Sequence, residues 1–325
     1  MKKAALRCIL FLALIISIVV ISNLSFWGAL PRGQVKLLSH RGVHQTFDLK
    51  GVDNESCTAA RIYKSTHDYL ENTIEAVRAA FEFGADAVEI DAIKTRDDEF
   101  VVFHDWTLEC RTNGAGRTAD FSLAELQALD IGHGYSFDGG KTFPFRGHGR
   151  HMPALAELLN AFSSREFIIN VKGNRPEDAE VLAEYINRHR LAAHNRLSLF
   201  AGPSFARRWR AIGGGLVVGT KAEAKQCVKG YLMWGWTGAV PKICSVTGLA
   251  VPQNLSWLYW GWPNLTFERM SKNGVDIFLV GPAAKHVQAI DNLSQLDAVP
   301  EKFTGWIITN RIEIVGPALK RDTAE

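Results

Sequence analysis

The sequence predicts an α/β fold of parallel strands covered by helices, with a membrane segment ahead of it. Three observations carry this prediction. Short apolar runs alternate with helical patterns along the chain. The 325 residues, 47% of them apolar, suffice for one domain of the size of an eight-stranded barrel. No charged residue occurs from Cys8 to Pro31.

The alternation is the main argument for a parallel sheet. Nine apolar runs are strand candidates, over residues 35–40, 87–91, 100–104, 167–172, 197–201, 215–220, 243–251, 275–281 and 305–309. Helical patterns lie between them, over residues 71–83, 153–162, 176–190, 203–212, 221–234, 265–273 and 284–296. Repeated alternation favours a parallel sheet covered by helices. A closed barrel takes eight strands, so we expect at least one candidate to be peripheral.

Two long insertions interrupt the alternation. Residues 43–70 are polar, and residues 106–150 are rich in glycine. Each follows a strand that ends in a polar cluster. Because the loops after strand C-termini build the sites of α/β folds, we expect both insertions to lie near the functional site.

The N-terminal segment predicts the location of the chain. Residues 1–7 carry three basic side chains, and the apolar residues 8–30 are long enough to cross a bilayer. We interpret them as a cytoplasmic N-terminus and a transmembrane signal anchor, which places the remaining chain on the outer, periplasmic or extracellular, side. A cleaved signal peptide is the alternative and would give a secreted protein, but Phe26 and Trp27 stand where a cleavage site needs small residues.

The charge pattern excludes one class of partner. The net charge is only +3, from 37 basic and 34 acidic residues, and the one basic cluster is short, "ARRWR" at 206–210. We therefore expect no nucleic-acid partner.

The stretch "AVEIDAIKTRDDEFVVFHDW", residues 87–106, contains the first chemical signal. Glu89 and Asp91 lie on one face of a strand, because successive side chains alternate between faces. Paired buried carboxylates require compensation by a cationic side chain or a metal ion.

Four motifs resemble one known family. They are "HRG" at 40–42, "ENT" at 71–73, "GADAVEIDAIKT" at 84–95 and "VVFHDWTLECRTNGAGR" at 101–117. In this order and spacing they resemble the glycerophosphodiester phosphodiesterases. The resemblance implies a (β/α)₈ TIM-type barrel over residues 35–318, with both insertions at its C-terminal face. It also implies hydrolysis of a glycerophosphodiester to glycerol phosphate and an alcohol.

The resemblance also implies roles for individual residues. His40 and His104 would be the acid/base pair, and Arg41 and Lys172 would face the substrate phosphate. Glu89 and Asp91 would bind a divalent cation, and such a hard oxygen site suits Ca²⁺ or Mg²⁺.

One departure concerns the metal. The family's E-x-K motif is "NVK" here, which puts Asn170 in the place of a third carboxylate ligand. An amide oxygen still binds a hard cation, but the loss of one negative charge predicts weaker metal binding. The stretches "FLVGP" at 278–282 and "LFAG" at 199–202 also depart from the family pattern.

Two alternative functions remain open. One is a lysophospholipase-D-like activity on a lipid. The other is a degenerate barrel that binds phosphodiester head groups without hydrolysing them, which the altered third ligand favours. Glu71 is expected to cap its helix or to pair with Arg41. The histidines at 44, 133, 148 and 151 are expected to be loop residues.

The cysteines and tryptophans allow further expectations. Outside the membrane segment, four cysteines form either two bridges or four free thiols. In a barrel the segments after strands one and three emerge at the same face, so we predict the pairs Cys57–Cys110 and Cys227–Cys244. Five of the nine tryptophans fall within residues 234–262. They either pack in the core and loops, or rest at a lipid interface, or line an acyl pocket.

Overall fold

The chain forms two compact units, each with its own set of parallel strands. The computed structural model describes residues 2–31, 33–53, 56–284 and 288–322. The N-terminal unit contains the chain up to Lys36, with Ala222–Ile290 and Ser294–Ile307; the central unit contains Leu37–Lys221, Asp291–Leu293 and the chain from Ile308 onward.

The described strands and helices follow the predicted alternation. The strands are β1 (Lys36–His40), β2 (Ala87–Lys94), β3 (Phe100–Val102), β4 (Glu166–Val171), β5 (Arg196–Phe200), β6 (Val218–Gly219), β7 (Leu249–Pro252), β8 (Ile277–Val280) and β9 (Trp306–Thr309). The α-helices are α1 (Lys2–Ser22), α2 (Ile74–Glu82), α3 (Leu123–Gln127), α4 (Leu155–Asn160), α5 (Asp178–Arg188), α6 (Leu191–His194), α7 (Pro203–Ala211), α8 (Lys221–Trp234), α9 (Cys244–Thr247), α10 (Asn264–Lys272), α11 (Leu293–Leu296) and α12 (Ile312–Asp322).

The central unit holds a parallel sheet in the order β6, β5, β4, β2, β1. Strand β3 pairs antiparallel with β2, so it is the peripheral strand that the count of nine candidates required. The register places His40 opposite Glu89, and Asp91 opposite Asn170. The neighbouring strand ends therefore bring predicted site residues side by side.

The N-terminal unit pairs β7, β8 and β9 in parallel. The prediction of one strand over 243–251 is wrong in its first half, where Cys244–Thr247 is a helical turn. Gly248 ends this turn with a positive φ of 68° and donates its N–H to the Cys244 carbonyl at 2.8 Å. The predicted helix over 284–296 includes residues 285–287, which lie outside the described residues; within the described part only Leu293–Leu296 is helical.

Helix α1 has the length and composition of a membrane span. It is exposed along its length, and it carries only Lys3 and Arg7 as charged residues from residue 3 onward. An uncleaved anchor and a signal sequence share this pattern, so location stays a prediction at this point.

The two insertions form a second hydrophobic core in the central unit. Ile62 and Leu70 of the first insertion share this core with Leu126, Tyr135 and Phe145 of the second. Asn54 and Glu55 of the first insertion lie outside the described residues.

Both predicted disulfide pairings are confirmed. The Cys57–Cys110 bond joins the two insertions across 53 positions of sequence, and the Cys227–Cys244 bond joins α8 to α9 across 17. Because Cys57 and Cys110 come from different insertions, their bond ties together the loops after β1 and β3.

Removal of the longer crosslink is expected to destabilise the protein. The Cys57→Ser/Cys110→Ser variant should lose roughly 2–4 kcal/mol of unfolding free energy, mainly because the unfolded chain regains a long loop. Denaturant unfolding of this variant beside Cys8→Ser, which removes the exposed free thiol, measures the loss. Equal stability of the two variants would contradict the expectation.

Candidate active site

The loop after β1 holds two consecutive residues in the left-handed region. Arg41 has φ 63° and Gly42 has φ 76°. A Cβ at Gly42 would lie 2.8 Å from the Ala76 backbone carbon, so only glycine fits beside α2. The Arg41 N–H donates to the Glu89 carbonyl at 2.8 Å and its carbonyl accepts from Asn72 at 3.0 Å. These bonds fix the strained turn that directs Arg41 toward β2.

Asp91 is the most heavily compensated carboxylate of the site. Its side chain is fully buried. One oxygen accepts from Asn72 Nδ2 at 3.1 Å and lies 3.0 Å from Arg41 Nε. The other accepts from Asn170 Nδ2 at 2.9 Å and lies 3.5 Å from Lys172 Nζ. Burial alone would raise the pKa of Asp91, but the charges, Arg41 foremost, hold it well below its usual range.

Glu89 lies on the same strand face as Asp91, but its pKa is shifted in the opposite direction. Its Oε2 is buried and accepts no hydrogen bond from any residue that the structure describes. His40 Nε2 lies 3.7 Å away. Burial, and then the neighbouring charge of Asp91, raise the pKa of Glu89 to about 8. Arg41, Lys172 and a hydrogen bond from Asn170 oppose this rise in the pKa of Glu89 but do not cancel it.

The donor set fits a hard divalent cation at Glu89. A cation there would complete the compensation that Arg41 and Lys172 provide only in part, and Asp91 and Asn170 lie beside it on β2 and β4. Among the described residues, no cluster of three or more His, Cys, Asp or Glu side chains is arranged as a complete metal site. Asn170 in place of a carboxylate, together with the pairing of Asp91 to Arg41 and Lys172, accounts for this.

A relay of side chains orients His40. His40 Nδ1 lies 2.7 Å from Asn310 Oδ1. Asn310 donates its side-chain Nδ2 to Asp291 at 2.9 Å and its backbone N–H to the same carboxylate at 2.7 Å. Because the amide nitrogen is committed to Asp291, the amide oxygen faces His40, and Nδ1 must carry the proton. Nε2 is then the atom with the lone pair.

A second relay orients His104. Its Nδ1 bonds Asp105 at 2.6 Å, and Arg111 Nε lies 2.8 Å from the other oxygen of Asp105. Burial would raise the pKa of Asp105, but Arg111 and His104 lower it to about 2, so this residue is a carboxylate. His104 therefore also has its proton on Nδ1 and presents Nε2.

Arg111 connects this relay to Glu71. It is 3% exposed, and its guanidinium lies 3.0 Å from Glu71 and donates to Tyr135 Oη at 2.8 Å. The predicted pairing of Glu71 with Arg41 is confirmed, at 3.4 Å. The helix cap is Thr73, whose hydroxyl accepts from the Ala76 N–H.

The predicted site residues come together in the central unit. His40, Arg41, Glu89, Asp91, Asn170 and Lys172 are joined by the contacts above, and His104 acts electrostatically on Asp91. The role of Lys172 toward a phosphate stays a prediction; its ammonium also lies 5.6 Å from the Trp106 ring. His44 is a loop residue as predicted, but it is buried with its ring 6.0 Å from that of His40.

Sequence reasoning missed four residues of the site: Asn72, Arg111, Asp291 and Asn310. Asn72 and Arg111 lie inside the quoted motifs "ENT" and "ECRTNG", so their position beside the site residues was the available signal. Asp291 and Asn310 follow no local pattern that marks them, because Asn310 contacts His40 from 270 positions away and Asp291 acts through Asn310.

Comparison with known proteins confirms the predicted resemblance. Residues 63–202 match the model of the Glycerophosphoryl diester phosphodiesterase family. A glycerophosphodiester phosphodiesterase of Caldanaerobacter subterraneus is 37% identical over 102 residues, 31% of this chain and 39% of that protein. The human glycerophosphodiester phosphodiesterase 1 is 28% identical over 152 residues, 47% of this chain and 38% of that protein. The chain thus spans about two fifths of the length of these relatives.

Solved structures show the fold over most of the chain. A glycerophosphodiester phosphodiesterase from Agrobacterium tumefaciens superposes with a TM-score of 0.59 at 19% identity, covering 89% of this chain and all of that one. An Oleispira antarctica phosphodiesterase in complex with the product sn-glycerol-3-phosphate gives 0.56 at 17% identity, covering 89% of this chain and 97% of that one. The predicted α/β class and its TIM-like arrangement of parallel strands are therefore shared with these structures.

Proposed function

We propose that the chain is a phosphoric diester hydrolase that converts glycerophosphodiesters to glycerol phosphate and an alcohol; the match of residues 63–202 to the Glycerophosphoryl diester phosphodiesterase family model supports this. The observation that supports this most directly is the presence of two histidines, His40 and His104, whose Nδ1 atoms are both held by acceptors so that both Nε2 atoms are available. Acid and base catalysis need two such groups.

The two histidines differ in how well they hold a second proton. Burial lowers the pKa of both. For His104 the hydrogen bond to the Asp105 carboxylate opposes this effect, whereas the neutral Asn310 is the hydrogen-bond partner of His40. In the proposed reaction His40 Nε2 accepts a proton from the water molecule whose oxygen attacks the phosphorus, and the phosphorus–oxygen bond to the alcohol breaks. The imidazolium of His104 donates its Nε2 proton to the departing alkoxide.

The cationic side chains would bind the substrate phosphate. Arg41 and Lys172 flank Asp91 and are largely buried, with side chains 14% and 12% exposed. Positive charge held in place before the reaction stabilises the extra negative charge of the phosphoryl transition state. A Ca²⁺ or Mg²⁺ ion held by Glu89, Asp91 and Asn170 would add Lewis-acid stabilisation of the same charge.

Turnover of glycerophosphocholine and of lysophosphatidylcholine, assayed side by side, tests the proposal. Release of glycerol phosphate from the first substrate is the expected result. Release of choline from the second alone would favour the lysophospholipase-D-like alternative. An inert wild type with both substrates and saturating Ca²⁺ or Mg²⁺ would contradict hydrolysis.

Metal dependence is a separate prediction. Chelation with EDTA should abolish turnover, and Glu89→Gln should do the same, because the buried Glu89 oxygen that accepts no hydrogen bond is lost as a metal ligand. In calorimetric titrations with Ca²⁺ and with Mg²⁺, Asn170→Glu should bind more tightly than wild type because it adds a negative charge at the cation. Undiminished activity in excess chelator would remove the metal from the mechanism.

The orientation of His40 is a further prediction. Asn310→Ala removes the acceptor for Nδ1 and should lower kcat by about 10²-fold with a smaller change in KM, because the imidazole loses its tautomer and position. Asn310→Asp keeps the acceptor for Nδ1 but loses the donor to Asp291, so it should retain more activity than Asn310→Ala and less than wild type. Equal activity of both variants and wild type would show that the relay does not act on His40.

One observation favours a second candidate function, the binding of head groups without hydrolysis. Asp91 already accepts from Asn72 and Asn170 and pairs with Arg41 and Lys172, which leaves it little capacity for a metal. A wild type that binds glycerol phosphate but shows no turnover would support this function.

The proposed location is a membrane-anchored protein with its site on the outer side. The length and composition of α1 support it, and so do two disulfides, which persist in oxidising compartments. Detection of the full chain in the membrane fraction, with Lys3 still present by mass spectrometry, would distinguish the anchor from a cleaved signal peptide.

A further inference from the structure

The segment after α1 is fixed to the N-terminal unit by specific contacts. Asn23 donates its side-chain amide to the Trp236 carbonyl at 2.9 Å. Asn264 donates its N–H to the Ser25 hydroxyl at 3.0 Å, and Ala29 donates to Glu268 at 2.8 Å. The C-terminal end of the apolar helix is therefore held beside the turn that follows α8.

Helix α8 has one buried face and one exposed face. Cys227 and Tyr231 are fully buried, the first in the disulfide to Cys244 and the second donating its hydroxyl to the Trp260 carbonyl at 2.8 Å. Lys225, Lys229 and Met233 are exposed and four residues apart, so they share the other face.

Large apolar side chains are exposed at the C-terminal end of α8 and in the turn that follows it. Met233, Trp234 and Trp236 are 61%, 55% and 41% exposed. From Ala222 to Lys242 there are three lysines and one glutamate. An exposed apolar group of this kind next to lysines marks an interaction surface, and tryptophan beside basic residues is typical of a lipid–water interface.

We propose that this surface, the lysine–tryptophan face (Lys225, Lys229, Met233 and Trp236), docks on the anionic lipid surface of the bilayer that α1 enters. Two features favour lipid as its occupant. The face is continuous with the end of the apolar helix through the Asn23–Trp236 bond. Its lysines carry the charge opposite to that of anionic head groups, and each lysine near the lipid surface adds electrostatic attraction. This inference rests on the proposed membrane anchoring, but not on hydrolysis.

Spin labelling of the full chain tests the docking. In a Cys8→Ser background, Met233→Cys would carry the label on the face, and Arg196→Cys, 78% exposed at the start of β5, would serve as the control site. The proteins are reconstituted in vesicles of phosphatidylcholine with and without phosphatidylglycerol. The collision accessibilities of each label to oxygen and to a water-soluble nickel chelate are then measured.

We expect the label at 233 to be shielded from nickel and accessible to oxygen, and the label at 196 to be accessible to nickel. The Lys225→Gln/Lys229→Gln variant should reduce the shielding in phosphatidylglycerol vesicles more than in neutral ones. Vesicle-bound protein whose label at 233 is as nickel-accessible as that at 196 would overturn the docking while leaving the anchor in place. Protein that does not remain with the vesicles would overturn both.

Discussion

Replacement of either histidine by alanine is expected to lower kcat on glycerophosphocholine by about 10²–10⁴-fold. His40→Ala removes the proposed base, whose Nδ1 is held by Asn310, and His104→Ala removes the proposed acid, whose Nδ1 is held by Asp105. Because each acts on a different proton of one reaction, the double variant should lose less than the product of the two single effects.

A matched control separates catalysis from folding. His194 is exposed on α6 of the central unit, so His194→Ala should leave kcat unchanged. Circular dichroism of all three variants monitors the fold. Retention of wild-type kcat by a folded His40→Ala or His104→Ala protein would remove that histidine from the mechanism and turn the interpretation toward head-group binding.

Arg111→Met is expected to destabilise the protein by about 3–5 kcal/mol, because it leaves Asp105 without its paired arginine and Glu71 with only the more distant Arg41. Arg111 lies 3.0 Å from Glu71 and 2.8 Å from Asp105, and it is 3% exposed. The matched control is Arg96→Met. Its side chain is 59% exposed and pairs with Glu125 at the surface, so its loss should cost at most about 1 kcal/mol.

Denaturant unfolding at neutral pH compares the two variants, and the pH dependence adds a second readout. The pKa of Asp105 is lowered to about 2, so its contribution is present above the unfolded pKa of about 3.9 and is lost as pH falls toward 2. The difference in unfolding free energy between wild type and Arg111→Met should therefore become smaller as the pH falls through that range. Equal unfolding free energies of Arg111→Met and Arg96→Met would show that the buried network does not stabilise the fold.

The sequence predicted the structure correctly where a residue's position follows from a pattern in the neighbouring residues. Glu89 and Asp91 alternate with apolar residues on β2, and this period of two was sufficient to place both carboxylates on one face. The helix over 221–234 was predicted with the observed bounds. The disulfide pairing followed from which loops share a face of an α/β fold.

The sequence was uninformative where a residue acts only through a distant partner. Asn310 and Asp291 have no local pattern, and their role depends on the position of His40. The run at 243–251 was apolar enough for one long strand, but the disulfide at Cys244 and the positive φ of Gly248 divide it into a helical turn and β7. Tertiary constraints of this kind override local propensity.

The bond between His40 and Asn310 has a consequence for biosynthesis. The two residues are 270 positions apart, so at a translation rate of about 5–20 residues per second Asn310 is made roughly 14–54 s after His40. During this interval the nascent chain already contains Glu89, His104 and Lys172 but has no acceptor for His40 Nδ1. The orienting contact thus forms only after Asn310 has been made, and a chain that stops before Asn310 lacks this acceptor for His40.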